Sequence, residues 1–137
     1  MINHEIIHQS FEAAAELHGD ITEAVCEDLF KRYPKAEDYF LVKGTPFKET
    51  LKLQMVRDSI YAFFEYLETP EELEISLKYT IPQHKDLGIG VDAMIELLQS
   101  VANIASAAIP DSQQIEAKKN WRAIMIKMTE TLTELSH

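Results

Sequence analysis

The sequence predicts an all-α protein, and two observations point to this class. Along each long segment, apolar residues recur three or four positions apart, which is the spacing of one helix face, and no segment alternates as a strand would. These segments are separated by residues that stop or start helices, such as Gly19, Pro46 and Pro110. With 137 residues, 46% of them hydrophobic, the chain is large enough for one core that encloses a cofactor. We therefore expect one domain over residues 1–137.

Two helices and a short third one are expected in the first part of the chain. The first has an apolar face made of Ile7, Phe11, Ala14 and Ala15, and it ends at Gly19. Asp20, with Glu23 following three residues later, resembles a capping box that starts the second helix. The buried face of this second helix is formed by Val25, Leu29 and Phe30. Pro34 suits the first turn of a short third helix, where a backbone N–H is not needed.

A long helix is expected from Phe47 to Leu67, after a break at residues 43–46. Its apolar side is formed by Leu51, Val56, Ile60, Phe63, Phe64 and Leu67. The helix that follows has a clear start, because Thr69 suits the N-cap and Pro70 suits the first helical position. Glu72 lies three residues after Thr69, where its side chain can bond back to the start of the helix. This helix leads to His84.

The last third of the chain predicts two more helices. Asp92 is the expected cap of the first, whose apolar residues are Met94, Leu97, Leu98, Val101, Ile104, Ala105 and Ala108. The second presents Trp121, Ile124, Met125, Met128 and Leu132 on one face. The expected total is about seven helices and no strand.

Charge and cysteine content exclude several classes of function. The 23 acidic residues outnumber the 13 basic ones and give a net charge of −10, which repels nucleic acid. The one cysteine, Cys26, excludes an intrachain disulfide framework. No signal peptide is recognisable at Met1, and charged or amide residues interrupt every apolar stretch well before the roughly 18 residues of a membrane span. We expect a cytoplasmic protein without membrane insertion.

One combination of residues is typical of a known family. Phe40 follows Pro34 by six residues and precedes His84 by 44, and Leu87, Gly88 and Ile89 follow that histidine closely. This pattern resembles the globin family, in particular the bacterial single-domain haemoglobins, over roughly residues 10 to 132. The resemblance implies a globin-like fold around a haem pocket. It also implies that His84 is the proximal ligand of the iron of haem b, and that Phe40 packs on the haem face.

His84 is the residue on which this resemblance chiefly depends. A neutral imidazole binds iron through one nitrogen and leaves the opposite face of the metal free for a gas. Its other N–H should then be donated to a nearby acceptor, for which a backbone carbonyl of the preceding turn is expected. Pro82 removes one backbone hydrogen bond within the same segment. Apart from the resemblance, the spacing alone favours an ordinary surface or core histidine at this position.

The resemblance also implies which residues surround the haem. Ile89, Met94, Leu97 and Leu98 would contact its proximal side and edge, although an ordinary apolar helix stripe has the same pattern. On the distal side, Cys26 lies eight residues before Pro34, at a pocket position that often holds tyrosine or leucine in globins. Lys52, 32 residues before His84, takes the place of the usual distal glutamine or histidine, with Val56 one turn further as an apolar lid. A shifted register would bring Leu53 or Met55 there instead.

Lys52 and Cys26 each have more than one interpretation. The amine of Lys52 would reach a haem propionate, remain solvated at the surface, or bind the iron if its pKa were lowered. Cys26 is better explained as a small buried apolar residue than as a reactive thiol, because apolar neighbours raise its pKa.

These residues predict reversible binding of a diatomic gas, namely oxygen, NO or CO, for gas handling or sensing. Met125, four residues after Trp121, replaces the tyrosine that supports peroxide or NO chemistry in related bacterial globins, so an enzyme is not the leading expectation. Redox turnover would need an external reductase, and sensing would need a signalling partner, since no second module is recognisable; a homodimer is compatible with either role. The alternative is a haemless globin-fold sensor or adaptor whose pocket is filled by side chains or by another apolar ligand.

Overall fold

The computed structural model describes all residues from 1 to 137 and contains seven α-helices and no strand. The helices are α1 (His4–His18), α2 (Thr22–Arg32), α3 (Ala36–Tyr39), α4 (Lys48–Glu68), α5 (Pro70–Asp86), α6 (Val91–Ala107) and α7 (Gln114–Leu135), with short 3-10 turns at Thr45–Phe47 and Asp111–Gln113. The predicted all-α class is confirmed. No single helix is both long and apolar enough to cross a bilayer; α5 and α6 taken together meet that length and composition, but they are bent by 116° at the break between them.

Several predicted helix starts differ in detail. The capping box at the start of α2 is wrong: the N-cap is Ile21, and the Oδ1 atom of Asp20 accepts the backbone N–H of Thr22 at 2.8 Å. The carboxylate of Glu23 instead accepts a hydrogen bond from the amine of Lys52 on α4, with which it forms an ion pair. The start of α3 is at Ala36, two residues after Pro34.

Helices α5 and α6 also begin without a side-chain cap. Thr69 is the N-cap of α5 and Pro70 its first residue, as predicted, but the expected side-chain capping hydrogen bond is not made. The cap of α6 is Gly90, so that Asp92 lies inside the first turn. A carboxylate in that position still interacts favourably with the positive end of the helix dipole.

The main core is assembled around α1, α4, α6 and α7. Phe63, Val101, Ile124 and Met128 are fully buried in it. Trp121 lies edge-on to Phe63 with ring centroids 5.1 Å apart, and its Nε1–H donates to the hydroxyl of Ser10 at 2.9 Å. That hydroxyl in turn donates to the carbonyl of Ile6 at 2.7 Å, so that a buried polar chain joins α7 to α1.

A smaller apolar cluster connects α2, α3 and α4. It consists of Leu29, Ala36, Phe40 and Leu51, all buried, with Met55 packed against it. The ring of Phe40 meets that of Phe30 edge-on at 5.7 Å. This cluster forms one wall of the cavity described next.

Candidate functional site

Two neighbouring cavities meet at His84. The first, which we call the α3 chamber, has a volume of about 280 Å3 and is lined by residues that include Phe40, Leu51 and Ile89. The second, the α7 chamber, has a volume of about 400 Å3 and extends to Met128 and Leu132. Six residues line both chambers, namely Met55, Asp58, Thr80, His84, Met94 and Leu97. Both are close to the roughly 300–1,000 Å3 of small-molecule sites in proteins.

The ring of His84 is oriented by the helix that carries it. Its Nδ1 atom lies 2.8 Å from the backbone carbonyl oxygen of Thr80, one turn earlier in α5. A carbonyl oxygen only accepts, so Nδ1 carries the hydrogen and, in the neutral ring, Nε2 has the free lone pair. The predicted hydrogen bond to the preceding turn is confirmed. His84 therefore offers one nitrogen donor in a fixed tautomer, which is the form that a metal ligand requires.

The end of α5 fixes the backbone position of His84. The N–H of Ile89 donates to the carbonyl of His84 at 2.8 Å, and the N–H of Gly88 donates to that of Lys85 at 2.9 Å. Gly88 has a φ of +79°, in the left-handed region that favours glycine. This is the hydrogen-bond pattern of a Schellman motif, which ends a helix in a defined direction. The Leu-Gly-Ile turn seen in the sequence therefore holds the histidine from its C-terminal side.

The wall opposite α5 is formed by α4, and one stripe of that helix contributes four residues to it. Leu51, Met55, Asp58 and Ala62 follow one another at intervals of four, three and four residues, and each lines one or both chambers. This spacing places them on one face of the helix. We call these four residues the α4 stripe. Met55 and His84 thus face the same space from two different helices.

The structure brings most of the sequence-predicted haem contacts to this place. Phe40, Ile89, Met94 and Leu97 line the α3 chamber together with His84. Leu98 lines the α7 chamber, as do Met94 and Leu97. Met55, which was expected in the pocket if the register shifted, lines both chambers.

Lys52 lies outside both chambers. Its Nζ atom is 3.0 Å from Oε1 of Glu23 and 3.2 Å from Oε1 of Glu49, and only 8% of its side chain is exposed. Burial alone would lower the pKa of this amine, but the hydrogen bonds to the two carboxylates outweigh that effect and raise its pKa. A raised pKa keeps the amine protonated, whereas binding to iron requires the neutral form. The structure therefore corrects the expected placement of Lys52 in the distal pocket.

Cys26 and Val56 are likewise placed elsewhere. Cys26 is 1% exposed on α2 and lines neither chamber, and its burial raises the pKa of the thiol to about 11. Val56 is buried in the main core and borders a separate cavity near Phe11. Val56 lies outside the chambers because α4 presents Leu51 and Met55 to them, and a shift by one residue turns a helix by about 100°.

Charged groups are distributed unevenly around the two chambers. Lys43 is the one lysine or arginine that lines either of them, and it borders the α3 chamber with Gln54 and Gln83. Asp58 and Glu65 border the α7 chamber. Burial raises the pKa of Asp58, and the weaker influence of Arg57 and His84 acts in the opposite direction. Sequence reasoning missed Asp58, although its position three residues after Met55 would have indicated it.

Comparison of the chain with protein-family models, with curated proteins and with solved structures finds no match.

Proposed function

We propose that this protein is a haem-binding globin of the bacterial single-domain kind, which binds oxygen, NO or CO reversibly. One observation carries the proposal: His84 lines two mostly apolar chambers, and the hydrogen bond from its Nδ1–H to Thr80 leaves Nε2 free to bind a metal. Phe40, placed in the same cavity as this histidine, supports it further. The seven helices would then have the globin arrangement around a haem between α4 and α5.

The residues present fit a haem. His84 would supply the axial nitrogen, and Phe40, Leu97 and Met94 would supply the apolar surface that the flat ring requires. Lys43, Gln54 and Gln83 are exposed at the edge of the α3 chamber, where they would meet the propionates. The haem supplies the iron that binds the gas.

The chamber wall opposite His84 favours weak retention of oxygen. Leu51 and Met55, which line the α3 chamber from α4, carry no hydrogen-bond donor, and the amide of Gln54 on the same helix is exposed at the edge of the chamber. A good donor to bound oxygen would contribute about 1.5–3 kcal/mol, and its absence means fast release. We propose a role in gas handling or sensing rather than catalysis. An external reductase would return the iron to the ferrous state, and a signalling partner would be needed for sensing.

A second candidate is a haemless module that binds another apolar ligand. Asp58 and Glu65 favour this candidate, because carboxylates at the border of the α7 chamber repel the haem propionates. In that case the two chambers remain separate cavities, and a smaller apolar molecule occupies one of them.

Titration of the purified protein with haemin distinguishes the two candidates. We expect a Soret band that saturates at one haem per chain and depends on His84. His84→Ala should bind haem weakly while retaining its helical circular dichroism, because the apolar contacts remain but the axial bond is lost. Imidazole added to His84→Gly should restore the spectrum. His18→Ala, an exposed histidine at the end of α1, is the matched control and should behave as the wild type.

Two results would contradict the proposal. One is a folded wild-type protein that shows no saturable Soret band. The other is a His84→Ala variant whose haem affinity and ferrous spectrum are those of the wild type.

A further inference from the structure

Of the α4 residues that line the chambers, only two line both, and each of these carries a donor atom for a metal. The other two members of the α4 stripe, Leu51 and Ala62, have none, whereas Met55 has a thioether sulfur and Asp58 a carboxylate. Both of these residues line the α3 chamber and the α7 chamber, as His84 does. If the proposed haem is bound, its second axial position faces this stripe, and the question is which donor reaches it.

The surroundings of the two side chains differ. Asp58 is exposed, and Arg57 and His84 lie near enough to it to lower the pKa of its carboxyl group, against the larger effect of burial. Met55 is half-buried, and it packs against the cluster of Leu29, Phe40 and Leu51 that forms the inner wall of the α3 chamber. Met55 is therefore the donor at the apolar depth where the ring would lie, and Asp58 is the donor at the solvent side.

The chemistry of a thioether suits this place. Its sulfur is neutral, so it needs no compensating charge in an apolar cavity, and three rotatable bonds let it adjust to the position of the metal. Methionine paired with histidine is an established axial pair for haem iron, and it raises the reduction potential. The two other donors considered on the distal side do not compete: the amine of Lys52 is bound by Glu23 and Glu49, and the thiol of Cys26 lies outside both chambers.

We propose that the Sδ atom of Met55 binds the haem iron opposite His84 in the gas-free protein, so that an incoming gas displaces a thioether. This inference rests on the proposed haem function and adds the second axial ligand to it. It makes the resting protein six-coordinate. It also makes release of Met55, rather than entry of the gas, the slow step when the gas is concentrated.

The test uses the full chain loaded with haem and three proteins: wild type, Met55→Leu and Met94→Leu. Both substitutions conserve volume, so the fold is retained. Met94 is the matched control because it also lines both chambers but lies on α6. We expect the wild type and Met94→Leu to show the weak far-red band of sulfur-to-ferric-iron charge transfer, and Met55→Leu to lack it.

Rapid mixing of the ferrous proteins with CO provides the second measurement. The observed rate should level off with CO concentration in the wild type and in Met94→Leu, and it should rise linearly in Met55→Leu, exceeding the wild type about tenfold or more at high CO. The reduction potential should fall in Met55→Leu alone.

Each other outcome overturns the inference in a recognisable way. A five-coordinate wild type with a His84-dependent Soret band contradicts Met55 ligation and leaves the haem function standing. A sulfur band that survives Met55→Leu, or that is lost in Met94→Leu instead, contradicts the choice of methionine. Failure of the wild type to take up haem at all contradicts both proposals together.

Discussion

Among single residues, Gly88 determines how the helix that carries His84 ends. It takes the left-handed conformation that closes α5 four residues after His84, and a side chain added there would meet no other atom within 4 Å. The requirement for glycine is thus conformational and not steric. Any residue with a side chain would strain the backbone at this position, and with it the Schellman motif in which the carbonyl of His84 accepts the N–H of Ile89.

Gly88→Ala is therefore expected to destabilise the protein by about 1–2 kcal/mol, which is the cost of an L-residue in the left-handed region. The measurement is urea unfolding followed by circular dichroism. Gly90→Ala is the matched control, because Gly90 has a φ of −79° and open space around it. The control should lose less stability than Gly88→Ala, because alanine adopts this φ without strain and only the preference for glycine over alanine at an N-cap is lost. Equal losses in the two variants would show that the turn does not depend on the left-handed glycine.

Asp58 gives a prediction about pH. Burial raises its pKa in the folded protein above the ordinary value of 3.8, so the folded state binds a proton more tightly than the unfolded state does. Stability is then lost as the pH rises from 3.8 through that raised pKa, and the loss persists at neutral pH. Asp58→Asn should be more stable than the wild type at pH 7, and the difference should disappear below pH values of about 3.8.

Thermal unfolding of both proteins across this pH range measures the effect. The gain should be small, because solvent screens a carboxylate that is this exposed. Glu37→Gln is the control with the opposite sign, since its hydrogen bond to Lys48 lowers the pKa of Glu37 in the folded protein. An Asp58→Asn variant that is less stable at pH 7 would show that Asp58 makes a favourable contact instead.

Among the helices, α4 shows where sequence reasoning succeeds and where it fails. The predicted range, Phe47 to Leu67, differs from Lys48–Glu68 by one residue at each end, because apolar periodicity defines a long amphipathic helix well. Its rotation was not predictable. Lys52 with Val56 and Leu51 with Met55 are both pairs four residues apart, and only the packing of α4 against α2, α5 and α6 decides which pair lines the chambers with His84.

The helix ends show the same limit for a different reason. Side chains near a helix start have several partners to choose from, and the sequence does not show which of them is close. Glu23 was assigned to a capping bond on its own helix, but it accepts the amine of Lys52 from α4. The hydrogen bond of His84 was predicted correctly, because its acceptor, the carbonyl of Thr80, is on the same helix one turn away.

Phe40 connects α3 to α2 and α4, so its removal tests how these elements are held together. Phe40→Ala should destabilise the protein by about 3–5 kcal/mol, because a buried aromatic ring leaves a cavity. If haem is bound, its transfer to a haem-scavenging protein should also be faster. Phe47→Ala is the control, since that ring is 55% exposed and its loss should change stability little. Similar effects in both variants would show that the cluster around Phe40 is not well packed.

For the molecule as a whole, the net charge of −10 restricts the partners that it meets easily. A negative protein is approached faster by positively charged surfaces, and salt reduces this effect. If an external reductase serves the proposed haem, a basic docking surface on that reductase would favour the encounter. Composition alone provided this part of the interpretation, since net charge does not depend on how the helices pack.

The polar chain from Trp121 through Ser10 to Ile6 has a consequence for the order in which the protein folds. Trp121 and Ser10 are 111 positions apart, and Asn3 likewise donates its backbone N–H to Asn120 across 117 positions. Contacts between such distant positions form late, because a long loop must close first. During synthesis α1 is made first but cannot complete its contacts until α7 has been made, and until then the part of its apolar face that α7 covers is exposed to chaperones and to other nascent chains.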